Sequence, residues 1–379
     1  MKLPHDHIDP DGLQEFSVVF TDRSLNHMSA RFQAVMRDVS ALLREVYNGH
    51  AVALVPGGGT YAMEAVARAF GRGQVLIVRN GWFSYRWSQI FDAGGFASGT
   101  TVVMARQTGN GARAPYAPPP IDEVCAKIRE VRPEAVFAPH VETSSGIILP
   151  DDYVAAMAEA AHEVGALLVL DCIASGCVWV DMVSTGVDVL ISAPQKGWSA
   201  SPAVGLVVMS ARAEARLAES TPNSFALDLK KWRAIMEAYE NGGHAYHATL
   251  PTDAILGLRD AMIETRTMGF AMAKAAQWAL GRAVRALLEA RGVASVAAAG
   301  FQAPGVVVSY TDDAEVQNGS KFRAQGLQIA AGVPLQVGEG AEFRTFRLGL
   351  FGLDKLTDVP ATVARLRKAV EAVLPPGAP

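Results

Sequence analysis

The sequence predicts an α/β fold: a large domain with a mostly parallel sheet flanked by helices, followed by a smaller C-terminal α+β domain. Three observations predict it. In the first half of the 379-residue chain, short runs that are apolar throughout recur instead of alternating with polar residues, as strands covered on both faces do. Helix-period segments separate several of these runs. After about Leu250 the character changes to long Ala-rich helical stretches followed by isolated strands, which reads as a second layer of smaller α+β structure.

Strands are expected over 51–55, 74–78, 135–138, 166–170, 187–191 and 204–208, with helices over 61–70, 121–131 and 151–164. The last of these has a sound start, because Asp151 and Asp152 follow Pro150 and place acid at the positive end of the helix dipole. Gly165 is its stop. The stretch 109–120, GNGARAPYAPPP, is rich enough in Gly and Pro to be read as a loop. Beyond it come an Ala-rich helical region over 253–291, a strand over 305–310, a helix over 320–327, a strand over 343–348 and a terminal helix over 357–373. The expected division is a large domain over 16–252 and a small one over 253–379, joined by the N-terminal segment 1–15.

Half the residues are hydrophobic and 19% are charged, enough apolar material for a sizeable core. The net charge of −4 argues against a nucleic-acid or anionic-membrane partner. Cys125, Cys172 and Cys177 form no CxxC pair and have no metal-type Cys/His cluster around them, so no metal is expected and a reducing cytoplasm is the simplest setting. The N-terminal MKLPHDHIDPDG lacks the apolar core of a signal peptide. The longest apolar runs, such as AVALV and ALLVL, are far too short to span a bilayer.

Four segments carry chemistry. Asp171 ends the apolar strand ALLVLD, and in an open α/β sheet the carboxyl ends of the strands face the ligand crevice. Taken alone it reads first as a turn or cap aspartate. Lys196 follows the strand VDVLIS in SAPQKGW, where Gly197 suggests close backbone approach; taken alone it is a surface-loop lysine. Together they give an acid and an amine 25 residues apart at two successive strand ends, as a ring held at both edges requires. Pro56-Gly57-Gly58-Gly59-Thr60 joins a strand to a helix and offers backbone N–H groups and a helix N-terminus to an anion. It is neither a Walker A loop nor a clean GxGxxG, and a tight turn alone would explain it. Asn80-Gly81-Trp82-Phe83 puts aromatics after another strand end, where one could stack on a ring or simply fill core. An amine, an acid, a phosphate cradle and a flat group are the four needs of a pyridoxal 5′-phosphate (PLP) site.

The segments HVETSSG (140–146), LLVLDCIAS (167–175), SAPQKGW (192–198), SFALDLKKW (224–232), YHATLP (246–251) and FRLGLFG (346–352) together resemble the class V aminotransferases, fold-type I PLP enzymes, and most of all the alanine–glyoxylate and serine–glyoxylate transaminases. The resemblance implies that Lys196 is the Schiff-base lysine, Gln195 its phosphate-binding neighbour and Asp171 the partner of the ring nitrogen. It implies that Ile173 packs the ring face opposite the stacking aromatic, Phe83, and that Thr143 hydrogen-bonds the ring O3′. Gly58, Gly59 and Thr60 match the phosphate turn. Tyr246 and Thr249 resemble a pair reaching the phosphate from the neighbouring subunit, which implies a homodimer with a shared active site. Arg347 matches the arginine that holds the substrate carboxylate, a task suited to a guanidinium fork. Its rival Arg344 is an odd number of residues away on the same strand and should face the other side.

The implied activity is transfer of an amino group from a small, Ala- or Ser-like amino acid to a 2-oxo acid such as glyoxylate or pyruvate. Two alternatives stand beside it. A PLP lyase of the same fold, desulfurase- or kynureninase-like, would need a mobile cysteine near the substrate, and all three cysteines precede Lys196. A non-catalytic α/β binding protein could keep the architecture without the reaction. Where the family usually opens with a Pro/Gly-rich segment, this chain has EFSVVFTDRSLNHMS, and Met28 follows His27 where a basic residue often stands.

Overall fold

The computed structural model describes residues 5–374. Its largest sheet, among those residues, has seven strands: β1 (Ala51–Pro56), β2 (Gln74–Arg79), β3 (Gly99–Met104), β4 (Ala135–Pro139), β5 (Leu167–Asp171), β6 (Val189–Ser192) and β7 (Val204–Met209), in the spatial order β1-β7-β6-β5-β4-β2-β3. β3, β2, β4, β5 and β6 run parallel, whereas β7 is antiparallel to both β6 and β1. The sheet is therefore mostly parallel, as expected. β5, β6 and β7 are buried along their whole length, which accounts for their unbroken apolar runs.

Helices cover the sheet. α1 (Ala30–Tyr47) is capped by the Ser29 side chain, which accepts from Phe32 N, and buries Phe32, Val35, Met36, Val39, Leu42 and Leu43, the i, i+3, i+4, i+7 stripe of an amphipathic helix. α2 (Gly59–Phe70) follows β1 and α3 (Trp82–Gly94) follows β2. The predicted helices 121–131 and 151–164 appear as Ile121–Val131 and Asp151–Glu163, the latter with both aspartates in its first turn.

The C-terminal part holds a second, antiparallel sheet of β8 (Val306–Tyr310), β9 (Ala330–Ala331) and β10 (Thr345–Gly349), in the order β8-β10-β9. Its strand β8 packs against the helix Phe270–Glu289, which in turn packs against Val359–Val373.

The structure corrects the sequence reading in places. The helical region expected over 253–291 is two helices, Thr252–Met268 and Phe270–Glu289. They part at Gly269, whose φ of 95° no helix accommodates. The loop 109–120 contains a two-residue strand, Tyr116–Ala117, paired with Arg106–Gln107. Tyr116 N donates to Val296 O at 2.7 Å, so tertiary docking, not local propensity, orders it. The helix over 320–327 stops at Ala324, the strand over 343–348 begins at Thr345, and the last helix begins at Val359. The outer ends of the expected small domain, residues 1–4 and 375–379, lie outside the described residues.

Candidate active site

The site forms where β5 and β6 end. Their parallel register pairs Ile191 with Asp171, so the chain leaving β6 reaches Lys196 beside the end of β5. Gly197 is needed there: a Cβ on it would lie 2.2 Å from the carbonyl oxygen of Gly176. A cavity of about 370 Å³ opens at this place, with Asp171, Ile173, Gln195 and Lys196 on its wall. Gly59 and Thr60 from the start of α2, Phe83 from α3 and Thr143 after β4 complete that side. The small sheet closes the other with Val306, Ala330 and Arg347. The volume lies within the range of ordinary cofactor and ligand pockets.

Its electrostatics follow from burial. Asp171 is almost fully buried, and loss of hydration pushes its pKa up to about 7, opposed by the backbone N–H of Ile173 that donates to Oδ1 at 2.9 Å. Burial also lowers the pKa of Lys196, and the nearby charge of Arg347 lowers it further. Lys196 Nζ lies 5.2 Å from the centre of the Phe351 ring. Arg347 Nε donates to Ala331 O at 2.8 Å, which aims the guanidinium along the cavity wall, 5.6 Å from the Phe83 ring centre. Arg344, which immediately precedes β10, instead donates from Nη1 to Asp312 O, outside the cavity.

Glu142 builds the Phe83 side. Fully buried, it accepts from Phe83 N (3.2 Å), Ser84 N (2.8 Å) and Ser144 N (3.0 Å), and from the hydroxyls of Ser84 (2.6 Å) and Ser144 (2.7 Å). A carboxylate at the N-terminus of α3 satisfies the helix's free donors and opposes its dipole, locking Phe83 and Thr143 to each other. His140 is likewise structural. Its Nδ1 lies 2.7 Å from Ser175 Oγ, and burial, with Lys274 nearby, drives its pKa down to about 3.

Gly57 and Gly58 have φ of 113° and 132°, and nothing lies within 4 Å of where a Cβ on Gly58 would sit. A Cβ on Gly59 would lie 2.5 Å from Ile173 Cδ1. The turn thus joins the cavity through close approach and left-handed backbone, as an anion cradle requires. Gly58 flanks the cavity without lining it. Tyr246 and Thr249 are not brought in. They are exposed, lie outside the cavity, and meet each other at 3.2 Å between hydroxyls.

The cavity also contains residues the sequence reading missed, chiefly Arg86, Met63 and Phe351. Arg86 lies one helical turn after Phe83 on α3, the i, i+3 spacing that shares a face; recognising a helix from Trp82 onward would have exposed it. The three cysteines are buried and unpaired, and none lines the cavity. Among the described residues no cluster of His, Cys, Asp or Glu could hold a metal, and no helix is long and apolar enough to cross a membrane.

A mostly parallel sheet that brings a buried acid and a partly desolvated lysine to one crevice from neighbouring strand ends defines the architecture of the fold-type I PLP-dependent transferases. Residues 13–332 match the family model "Aminotransferase class-V", and the chain belongs to that family. It is 30% identical over 361 residues, 91% of this chain and 90% of the relative, to the 2-aminoethylphosphonate–pyruvate transaminase of Burkholderia thailandensis. A Synechococcus protein named soluble hydrogenase, small subunit, is 27% identical over 92% of this chain and 87% of its own length. Among solved structures, the alanine–glyoxylate aminotransferase of Nostoc shares the fold with a TM-score of 0.77 at 24% identity, covering 92% of this chain and 89% of that one. The chain is thus a transaminase at the level of its family, and membership implies PLP as cofactor.

Proposed function

We propose that this cavity holds PLP and moves an amino group from a small, Ala- or Ser-like amino acid to a 2-oxo acid such as pyruvate or glyoxylate. The observation that carries the reading is the shared cavity of Asp171 and Lys196. The residues present fit the group. A carboxyl buried at the crevice floor, with its pKa raised to about 7, is stabilised as the anion by a cationic ring nitrogen. The open space at Gly58 and the donors of the Gly58–Thr60 turn suit a phosphate.

When bound, PLP supplies the electron sink that makes the substrate's Cα–H acidic. The chain does the rest. Asp171 would hold the ring-nitrogen proton, Phe83 and Ile173 would fix the ring faces, Thr143 would address O3′, and Gln195 with Gly58, Gly59 and Thr60 would hold the phosphate. Lys196 would anchor the cofactor's aldehyde and accept the substrate's Cα proton at Nζ; its lowered pKa favours the free amine this needs. Arg347 grips the substrate carboxylate and orients Cα toward Lys196. Pyruvate as acceptor draws support from the Burkholderia relative's name.

The finer features belong to the same proposal: a large domain over 16–252, a small one over 253–379 with 1–15, a homodimer in which Tyr246 and Thr249 reach the partner's phosphate, and a cytoplasmic setting. Exposure of Tyr246, at 55%, supports the shared site. Free thiols at Cys125, Cys172 and Cys177 support a reducing compartment.

The test is an absorbance titration with PLP, borohydride fixation with the modified residue found by mass spectrometry, and a panel of amino donors that includes 2-aminoethylphosphonate with pyruvate and glyoxylate as acceptors. Modification at Lys196 and accumulation of pyridoxamine phosphate with a small amino acid are expected. A spectrum unchanged by every donor would sink the transamination reading.

A further inference from the structure

Three side chains on the cavity wall are cations: Lys196, Arg347 and Arg86. The proposed reaction uses the first two. Arg86 comes from α3. Its Nη1 donates to Thr60 Oγ1 at 3.0 Å, which pins the guanidinium to the Gly-Gly-Thr turn. Its Cζ lies 5.2 Å from the centre of the Phe83 ring, and Arg347 Cζ lies 5.6 Å from that same centre. Phe83 therefore has two guanidinium neighbours, one attached to the turn at the start of α2 and one attached to β9 of the small sheet.

That placement gives each arginine its own anchor. The turn itself offers backbone N–H groups and the partial charge of a helix end, but no full positive charge, since no lysine follows the glycines as it does in a Walker A loop. A phosphate dianion held there needs a compensating cation, and Arg86 is the described arginine that both lines the cavity and touches the turn. A guanidinium supplies two parallel donors that match phosphate oxygens.

We propose that Arg86 is a phosphate-binding residue of the cofactor site, supplying the full charge of the cradle and leaving Arg347 as the arginine for the substrate carboxylate. This rests on the PLP reading above.

The experiment compares affinities for PLP and for pyridoxal, which lacks the phosphate, in the full-length wild type and in R86Q and R86K, read from the absorbance of the bound chromophore. R86Q should bind PLP about 10- to 100-fold more weakly while its affinity for pyridoxal changes less than about twofold. Inorganic phosphate should compete with PLP on the wild type and lose that effect in R86Q. R86K keeps the charge without the fork and should fall between the two; if R86Q does not fold, the wild type and R86K carry the comparison. Equal weakening of both ligands would mark Arg86 as structural and overturn the assignment, as would PLP affinity unchanged by the substitutions. A wild type that binds neither ligand would overturn the cofactor site itself, and this assignment with it.

Discussion

The crevice at the ends of β5 and β6 and the surface segment around Tyr246 differ in how far a single chain finishes them. In the crevice, Asp171 is buried with a backbone donor on its carboxylate, Gly197 abuts Gly176, and Glu142 fixes Phe83 through the helix end it caps. In the surface segment, Tyr246 is exposed, its hydroxyl meets Thr249 at 3.2 Å, and its ring lies 5.5 Å from that of His27. The first region is pre-organised by packing within the chain. The second has polar groups ready and little within the chain to hold them. Catalytic geometry is set where burial fixes rotamers, and a group left in solvent waits for something else to fix it.

The largest effect should come from breaking the crevice at its acid. D171N removes the charge that would hold the ring-nitrogen proton, and turnover should fall on the order of 10³-fold. The same substitution should help the cofactor-free protein. Because the folded pKa of Asp171 is raised to about 7, above its unfolded value of about 3.9, its contribution to stability is full below the unfolded value and is lost as pH rises through 7. The melting temperature of the cofactor-free wild type should therefore drop between about pH 4 and 7 and level off above that, D171N should flatten the drop, and bound PLP should abolish it. A wild-type profile without that drop would contradict the burial argument.

A smaller effect sharpens the contrast between Arg347 of β10 and Arg344, which immediately precedes that strand. R347A should raise KM for the amino donor about 100-fold, by loss of charge-assisted hydrogen bonds, with the bound-cofactor spectrum unchanged. R344A, whose side chain turns to Asp312 O, should leave KM near the wild-type value. Comparable kinetics in the two variants would reverse the assignment.

The smallest effect tests the surface segment. Y246F and T249A should each weaken PLP binding only about 2- to 10-fold, the scale of single hydrogen bonds. The loss should be seen at protein concentrations that support dimers, and dilution of the wild type should reproduce it. Affinity insensitive to both substitutions and to dilution would show that the segment serves no neighbouring site.

Much of this was legible in the linear chain. Strands buried on both faces must be apolar throughout, so the runs ending at Asp171 and before Lys196 announced a parallel sheet and its crevice. The spacing of Arg344 and Arg347 announced opposite faces. Other parts were not legible for identifiable reasons. α3 begins at Gly81, which has no capping side chain; locally Ser84 Oγ accepts from Asn80 N and Gly81 N, but the N–H groups of Trp82, Phe83 and Ser84 go to Ser144 and Glu142 of a distant segment, so the local signal was weak. Arg86 was hidden with it. The break at Gly269 lies inside a run of good helix formers, and Tyr116–Ala117 became a strand only because Val296 supplied a partner.

The sequence by itself determined the sheet, the residue types at its strand ends and the order in which they come, because these depend on local periodicity and burial. Only the tertiary structure decided which groups share a cavity, that Arg86 joins the Gly58–Thr60 turn while Arg347 joins the small sheet, and that Tyr246 stays outside. Those outcomes depend on contacts between residues distant in the chain, whose geometry no local pattern encodes.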